Sequence, residues 1–212
     1  MINYYKYCVV ENEHLYGPGK RVLLFLQGCS IHCEGCVNRH LWDFGKGINA
    51  TSEEIISFCR DNHVEGISLH GGEPLDQSEG LYPIVKALKQ EQFTVILFTG
   101  YNKKELNASQ KRIWDMSDIV VCGRFDLKKR NVYLQFRGST NQRIIRRKGK
   151  YKHYQVQDGT TAAILTIDLD GNLNIKGNRR RRPRRRLVQA GSEMPVGKGT
   201  AISGTDRQFS FG

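Results

Sequence analysis

"RVLLFLQGCSIHCEGC" occupies residues 21–36, and the place where its character changes sets the frame for the rest of the chain. Its first seven residues, 21–27, form an almost unbroken apolar run, the pattern of a strand buried on both faces of a parallel sheet. The run breaks at Gly28 into a loop carrying Cys29, Cys33 and Cys36, a C-x3-C-x2-C spacing with no fourth cysteine close behind. Closely spaced thiolates on one loop converge readily on a soft or borderline metal. A strand that ends in such a loop places metal chemistry at the strand's carboxyl end.

The same alternation continues downstream. "TSEEIISFCRDN" (51–62) opens with Thr51 and Glu54 at capping-box spacing and continues as a short helix. "GISLHGGEP" (66–74) is a second strand that ends in two glycines, and "LYPIVKALKQ" (81–90) is a helix in which Pro83 fits only near the first turn. "FTVILFTG" is a third strand, "KKELNASQKRI" a weaker helix and "DIVVCG" a fourth strand. The order β-α-β-α-β-α-β, with strands that read as solid apolar runs, predicts an α/β fold with a parallel sheet and right-handed crossovers. Ligands of such sheets sit at the carboxyl ends of the strands. The cysteine loop, "GGEP" and "TGY" all fall there. Further on, "VYLQF" (132–136) reads as another strand, and "TAAILTIDLDGNLNIKG" alternates around Asp170-Gly171 as a hairpin. The expected organisation is a core over 1–150 with the cysteine loop at 28–38, a hairpin appendage over 151–177 and a flexible Arg-rich and Gly/Ser-rich tail over 178–212.

The bulk properties narrow the class. Hydrophobic residues make up 39% and charged residues 25% of 212 residues, an ordinary globular mixture. No apolar run is long enough for a membrane span. The N-terminal residues lack the charged start and apolar stretch of a secretory signal, so the expected compartment is the cytoplasm. The net charge of +12 is largely local. "RRRRPRRR" (Arg179–Arg186) supplies seven arginines, while residues 1–178 hold 24 Lys/Arg against 19 Asp/Glu. A nucleic-acid partner through that run is a weaker expectation, because no aromatic residues interleave with it. The remaining cysteines, Cys8, Cys59 and Cys122, lie in apolar runs and are expected to be buried small hydrophobes.

Two metal chemistries suit the loop. Structural zinc would take the three cysteines plus His32 or His40 as a closed tetrahedron. A [4Fe–4S] cluster normally takes four cysteines, so three would leave one iron open to a substrate. The glycines of "GGEP", one β-α unit later, favour the open site. They let a ligand approach the backbone, and Glu73 offers a carboxylate to a cation.

These residues resemble the radical S-adenosylmethionine (SAM) enzymes, and within them the family of activating proteins of anaerobic ribonucleotide reductase. The resemblance runs in order through Gly17-Pro18-Gly19-Lys20-Arg21, Gln27-Gly28-Cys29, the loop cysteines, Asn38 and Trp42, and Gly71-Gly72-Glu73-Pro74. It continues with Thr99-Gly100-Tyr101, Gly123-Arg124-Phe125 and the segment from Phe136 to Arg143. Val37, Arg39 and His70 depart from the residues frequent at their positions.

The resemblance implies a partial, incomplete parallel β/α barrel of the radical SAM type. It implies that Cys29, Cys33 and Cys36 hold a [4Fe–4S] cluster whose fourth iron is chelated by SAM, with Gly71, Gly72 and Glu73 at the methionine end and the backbone of Gly35 and Val37 at the adenine. Cleavage of SAM would release methionine and a 5′-deoxyadenosyl radical, which would take a hydrogen from a glycine Cα. The implied partners are a glycyl-radical enzyme, anaerobic ribonucleotide reductase first among them, and a flavodoxin- or ferredoxin-type electron donor, with no membrane. No acid–base dyad or nucleophile is required, and His70 reads as a strand-end hydrogen-bonding residue. Two other readings fit parts of the sequence: a small radical SAM enzyme acting on a peptide or small molecule, and a zinc-stabilised nucleic-acid-binding protein.

Overall fold

The computed structural model describes residues 1–11, 13–147, 149–159, 163–167 and 173–177. All of them belong to one compact unit, Met1–Arg180. Its centre is a mixed sheet in the order β3-β1-β2-β4-β5-β6-β7. These strands are β1 (Ile2–Val10), β2 (Arg21–Leu26), β3 (Ile48–Ala50), β4 (Gly66–Gly71), β5 (Thr94–Thr99), β6 (Ile119–Cys122) and β7 (Arg143–Arg146). The inner four, β2, β4, β5 and β6, run parallel. They are the four strands read from apolar runs, and their burial explains why those runs do not alternate. β1 and β7 flank them antiparallel and β3 pairs antiparallel with β1; none of the three is apparent as a strand in the sequence. β1 and β7 are only half-buried, so their residues alternate weakly.

Three helices, α1 (Ser52–Asp61), α2 (Ser78–Gln90) and α3 (Ala108–Met116), return the chain between parallel strands. Their apolar stripes pack with Leu24, Leu26, Ile67, Leu69, Val95, Leu97 and Val120 into one core. Each such side chain removed from water contributes about 1.5–3 kcal/mol, offset by ordering entropy. The expected capping box is present: Glu54 N–H donates to Thr51 Oγ1 at 3.3 Å, and Thr51 N–H to Glu54 Oε2 at 2.6 Å. The helix read over 81–90 begins three residues earlier, at Ser78, so Pro83 lies in its interior rather than its first turn. The missing N–H there leaves out one helical hydrogen bond. The weak helix after β5 divides into a 3-10 turn, Lys103–Glu105, and α3, because Asn107 caps a new helix through the N–H of Gln110.

On the other face of the sheet, Ile96, Phe98, Ile119 and Val121 pack against Phe136 and Tyr151. The strand expected over 132–136 is not formed. This segment is a series of turns and bends. Phe136 sits at a positive φ of 64°, its N–H donating to His14 O, and the buried Gln135 bonds Glu13 O and Tyr154 Oη instead of a neighbouring strand. Tyr151 is buried and bonded to Arg21.

Arg21 closes the amino-terminal end of the sheet. Its fully buried guanidinium donates to Ser68 Oγ, Thr94 Oγ1, Tyr151 Oη and the carbonyls of Pro18, Ile67 and Thr94. Among the described residues no carboxylate pairs with it directly, and burial lowers its pKa. The planar fork thus serves as a knot joining β2, β4 and β5. Strands β8 (Ala163–Ile167) and β9 (Leu173–Gly177) pair antiparallel. The turn read at Asp170-Gly171 and the tail read over 178–212 lie outside the described residues.

Candidate functional site

With the amino-terminal end closed by Arg21, the carboxyl ends of β2, β4, β5 and β6 carry the sequence motifs. The cysteine loop is sealed at its base. Gly28 N–H donates to Leu41 O at 2.8 Å and Cys29 N–H to Trp42 O at 3.1 Å. The Gln27 side-chain amide donates to the carbonyls of His40 and Asp43. Gly28, with φ of 95°, permits the turn out of the strand. Cys29 is buried, and Cys33 and Cys36 are half-buried. Backbone N–H groups are aimed at all three sulfurs: those of Ile31 and His32 at Cys29, Phe125 at Cys33, and Asn38 at Cys36 Sγ, 3.4 Å away. Burial nonetheless pushes the thiols of Cys29 and Cys33 up from their ordinary range, with Glu73 and Asp76 adding to the effect at Cys29.

The end of β4 is stitched directly to this loop. Gly72 N–H donates to Leu26 O and Glu73 N–H to Gly28 O, both at 2.8 Å. A Cβ on Gly72 would collide with the Gly28 carbonyl oxygen and lie 2.9 Å from Leu41 O. A Cβ on Gly71, at φ of 115°, would collide with Leu26. The two glycines therefore let backbone meet backbone, and the Gly72 carbonyl accepts no hydrogen bond among the described residues. Glu73 is buried and its carboxylate is occupied: Leu75 N–H and Thr99 Oγ1 donate to Oε1, and Gly100 N–H donates to Oε2. The carboxylate thereby ties the end of β4 to the Thr99-Gly100 end of β5. Burial raises its pKa to about 7.

His70 lies among the rings of Phe25, Phe98 and Tyr16, with Phe98 nearest at 4.7 Å between centroids. Its Nδ1 accepts the Gly71 N–H at 2.8 Å, so the neutral ring carries its proton on Nε2. Burial lowers its pKa to about 4. Gly35, at φ of 74°, packs under Leu127, and Val37 is 83% exposed beside the loop.

Comparison with known proteins fits this arrangement. Residues 15–145 match a family described as a 4Fe-4S single cluster domain. The chain is 33% identical over 154 residues to the anaerobic ribonucleoside-triphosphate reductase-activating protein of Vibrio cholerae, covering 68% of this chain and 98% of the relative. It is also 33% identical over 150 residues to the protein of the same name from Escherichia coli K12, covering 66% and 96% respectively. The chain belongs to this activating-protein family. Among solved structures it is similar to QueE from Escherichia coli, at 19% identity over 47% of this chain and 52% of that one, with a TM-score of 0.39. That likeness is too slight to bear on the fold.

The donor set suits the cluster named in the family description better than it suits zinc. His32 stacks on Trp42 and His40 packs edge-on against Tyr5, so each ring is held in an aromatic contact. A cube places its protein sulfurs on separate irons, and backbone N–H groups directed at sulfur are among the features that tune such clusters. Trp42 shares a shallow hollow with Cys29, Ser30, His32, Asp43 and Phe44, and its buried indole N–H has no partner among the described residues.

The other cysteines fall outside the site. Cys59 and Cys122 are fully buried, and burial pushes the Cys59 thiol up to about 12. Cys8 is only half-buried: it lies in the part of β1 that pairs with β2 on one side and extends past β3, which pairs only with Ile2–Tyr4, on the other. Three residues that the structure brings to this end of the sheet were not singled out from sequence as site residues: Ser30, Asp76 and Arg124. Arg124 pairs with Glu105 at 2.5 Å and lies over the Tyr101 ring. Only its position in the Gly123-Arg124-Phe125 motif hinted at a role. Ser30 and Asp76 are common polar residues in turns and carry no signal of their own.

Proposed function

We propose that this chain is a radical SAM activating enzyme that generates a glycyl radical on an anaerobic ribonucleoside-triphosphate reductase. The observation that carries it is the stitching of Leu26 and Gly28, at the root of the cysteine loop, to Gly72 and Glu73 at the carboxyl end of the parallel strands. Cys29, Cys33 and Cys36 would ligate a [4Fe–4S] cluster, leaving one iron without a protein ligand. When bound, the cluster and SAM together supply a one-electron cleavage that yields methionine and a hydrogen-abstracting 5′-deoxyadenosyl radical. The chain's own part is placement and exclusion of water. The open Gly72 carbonyl is an acceptor for the ammonium of SAM. Glu73 keeps the ends of β4 and β5 in register beneath it. Gly35 and Val37 offer backbone and apolar surface to the adenine. His70 stays uncharged and lines the interior with Phe25 and Phe98.

We read the sheet as part of an incomplete β/α barrel whose missing strands leave room for a protein loop bearing the target glycine. The electron would come from a flavodoxin- or ferredoxin-type protein, and a reducing cytoplasm suits free thiols that must bind iron. We propose residues 1–150 as the core, with 151–177 and 178–212 as additions to it, Tyr151 and Tyr154 of the first addition packing back against that core.

The test is anaerobic reconstitution of the chain with iron and sulfide, then incubation with SAM, a reductant and a candidate reductase. The expected result is a glycyl-radical signal by electron paramagnetic resonance. SAM cleavage without that signal would defeat the activase assignment for that partner. Cys29→Ala, Cys33→Ala or Cys36→Ala should abolish SAM cleavage, whereas Cys59→Ala should retain it; turnover by Cys33→Ala would show that the ligand set is wrong.

A further inference from the structure

Asp76 lies in the 3-10 turn Pro74–Gln77 that follows Glu73. Its Oδ2 accepts the Ser30 N–H at 2.7 Å, and its Oδ1 accepts the Ser30 hydroxyl at 3.1 Å and the Tyr101 hydroxyl at 2.8 Å. Ser30 Oγ and Tyr101 Oη are themselves 2.9 Å apart. Three segments from the ends of β2, β4 and β5 thus close into one hydrogen-bonded ring, and Ser30 is the residue immediately after Cys29. The carboxylate is already engaged by donors of the chain, so it is poorly placed to serve as a ligand for a substrate cation. It also enters none of the ion pairs among the described residues. Arg124, which lies over the Tyr101 ring, is paired with Glu105. A negative charge without a paired cation is therefore pinned beside the Cys29 corner.

We propose that Asp76 is a positioning residue that fixes the Cys29 corner of the loop and, through its charge, makes the bound cluster a stronger reductant. This rests on the assignment of Cys29, Cys33 and Cys36 as the cluster ligands. Adding an electron to the cluster adds negative charge, and a fixed anion nearby opposes it. Net charge and hydrogen bonding around such clusters set their potentials. Breaking the C–S bond of a sulfonium demands a strong one-electron reductant, so a lowered potential serves the reaction directly. The hydroxyl of Tyr101 moderates the effect by donating to the carboxylate.

The experiment is a potentiometric titration of the reconstituted full chain with dithionite, read by electron paramagnetic resonance, with iron and sulfide content measured for every variant. Asp76→Asn should raise the midpoint potential, increasing the reduced-to-oxidised ratio at fixed poise by about threefold to tenfold, the upper end being 59 mV for one electron. Asp76→Glu should return it toward the parent value. Tyr101→Phe removes a donor but keeps the charge, and should lower the potential. A loop that is merely loosened would shift both variants in the same direction, and that outcome, or no shift in Asp76→Asn, overturns the proposal. If Asp76→Asn assembles no cluster, the sign of the Tyr101→Phe shift decides: unchanged or raised overturns it. Failure of the parent chain to assemble a cluster would instead defeat the ligand assignment itself.

Discussion

Glu73 combines a conspicuous place in sequence with a bracing place in the fold. Its position in "GGEP" marks it as a candidate cofactor-binding carboxylate, and in the fold its oxygens accept from Leu75, Thr99 and Gly100. Because its folded pKa is raised from 4.5 to about 7, the unfolded chain releases this proton first as pH rises. The folded state binds more protons between those values, so its stability falls through that window. The slope belongs to the carboxyl, and Glu73→Gln should flatten it by on the order of 3 kcal/mol at most. Thermal melts of the metal-free protein from pH 4.5 to 7.5 would test this. Parallel curves for parent and variant would show that the burial of Glu73 has no thermodynamic consequence.

At the scale of elements, what matters is the contact between the cysteine loop and the end of β4. Gly72 allows the two backbones to touch, and its hypothetical Cβ meets carbonyl oxygens that cannot swing aside. Gly72→Ala should therefore cost about 3 kcal/mol and displace the loop, read as an earlier denaturant midpoint together with reduced iron uptake. A normal midpoint with normal iron content would mean that the backbone yields more easily than the packing suggests. The helices and inner strands were legible because each carries its own signal, such as the Thr51–Glu54 box or the solid run of Val95–Phe98. Strands β1 and β7 were not, because half-buried strands flanking the parallel core owe their form to hydrogen bonds offered by a neighbour. Residues 132–136 mislead for the converse reason: β-forming side chains are held in turns by bonds to Glu13, His14 and Asp158.

For the whole molecule, one end of the sheet is a knot around Arg21 and the other carries the chemistry. The family match ends at residue 145, and the relatives are covered almost completely by about 150 residues of this chain. Removal of residues 178–212 should accordingly leave iron content and SAM cleavage at parent levels; loss of the cluster on truncation would place the edge of the core further along.

The sequence alone determined the β/α order, the three cysteines and the strand-end motifs, since these depend on local periodicity and on residue types that few other roles require. Only the tertiary structure decided that Gly71 and Gly72 face the chain's own backbone, that Glu73 braces two strands and that Asp76 clasps the loop. Those facts depend on which distant donors reach a given oxygen, and partners 25 to 46 residues apart are brought together only when the strands align.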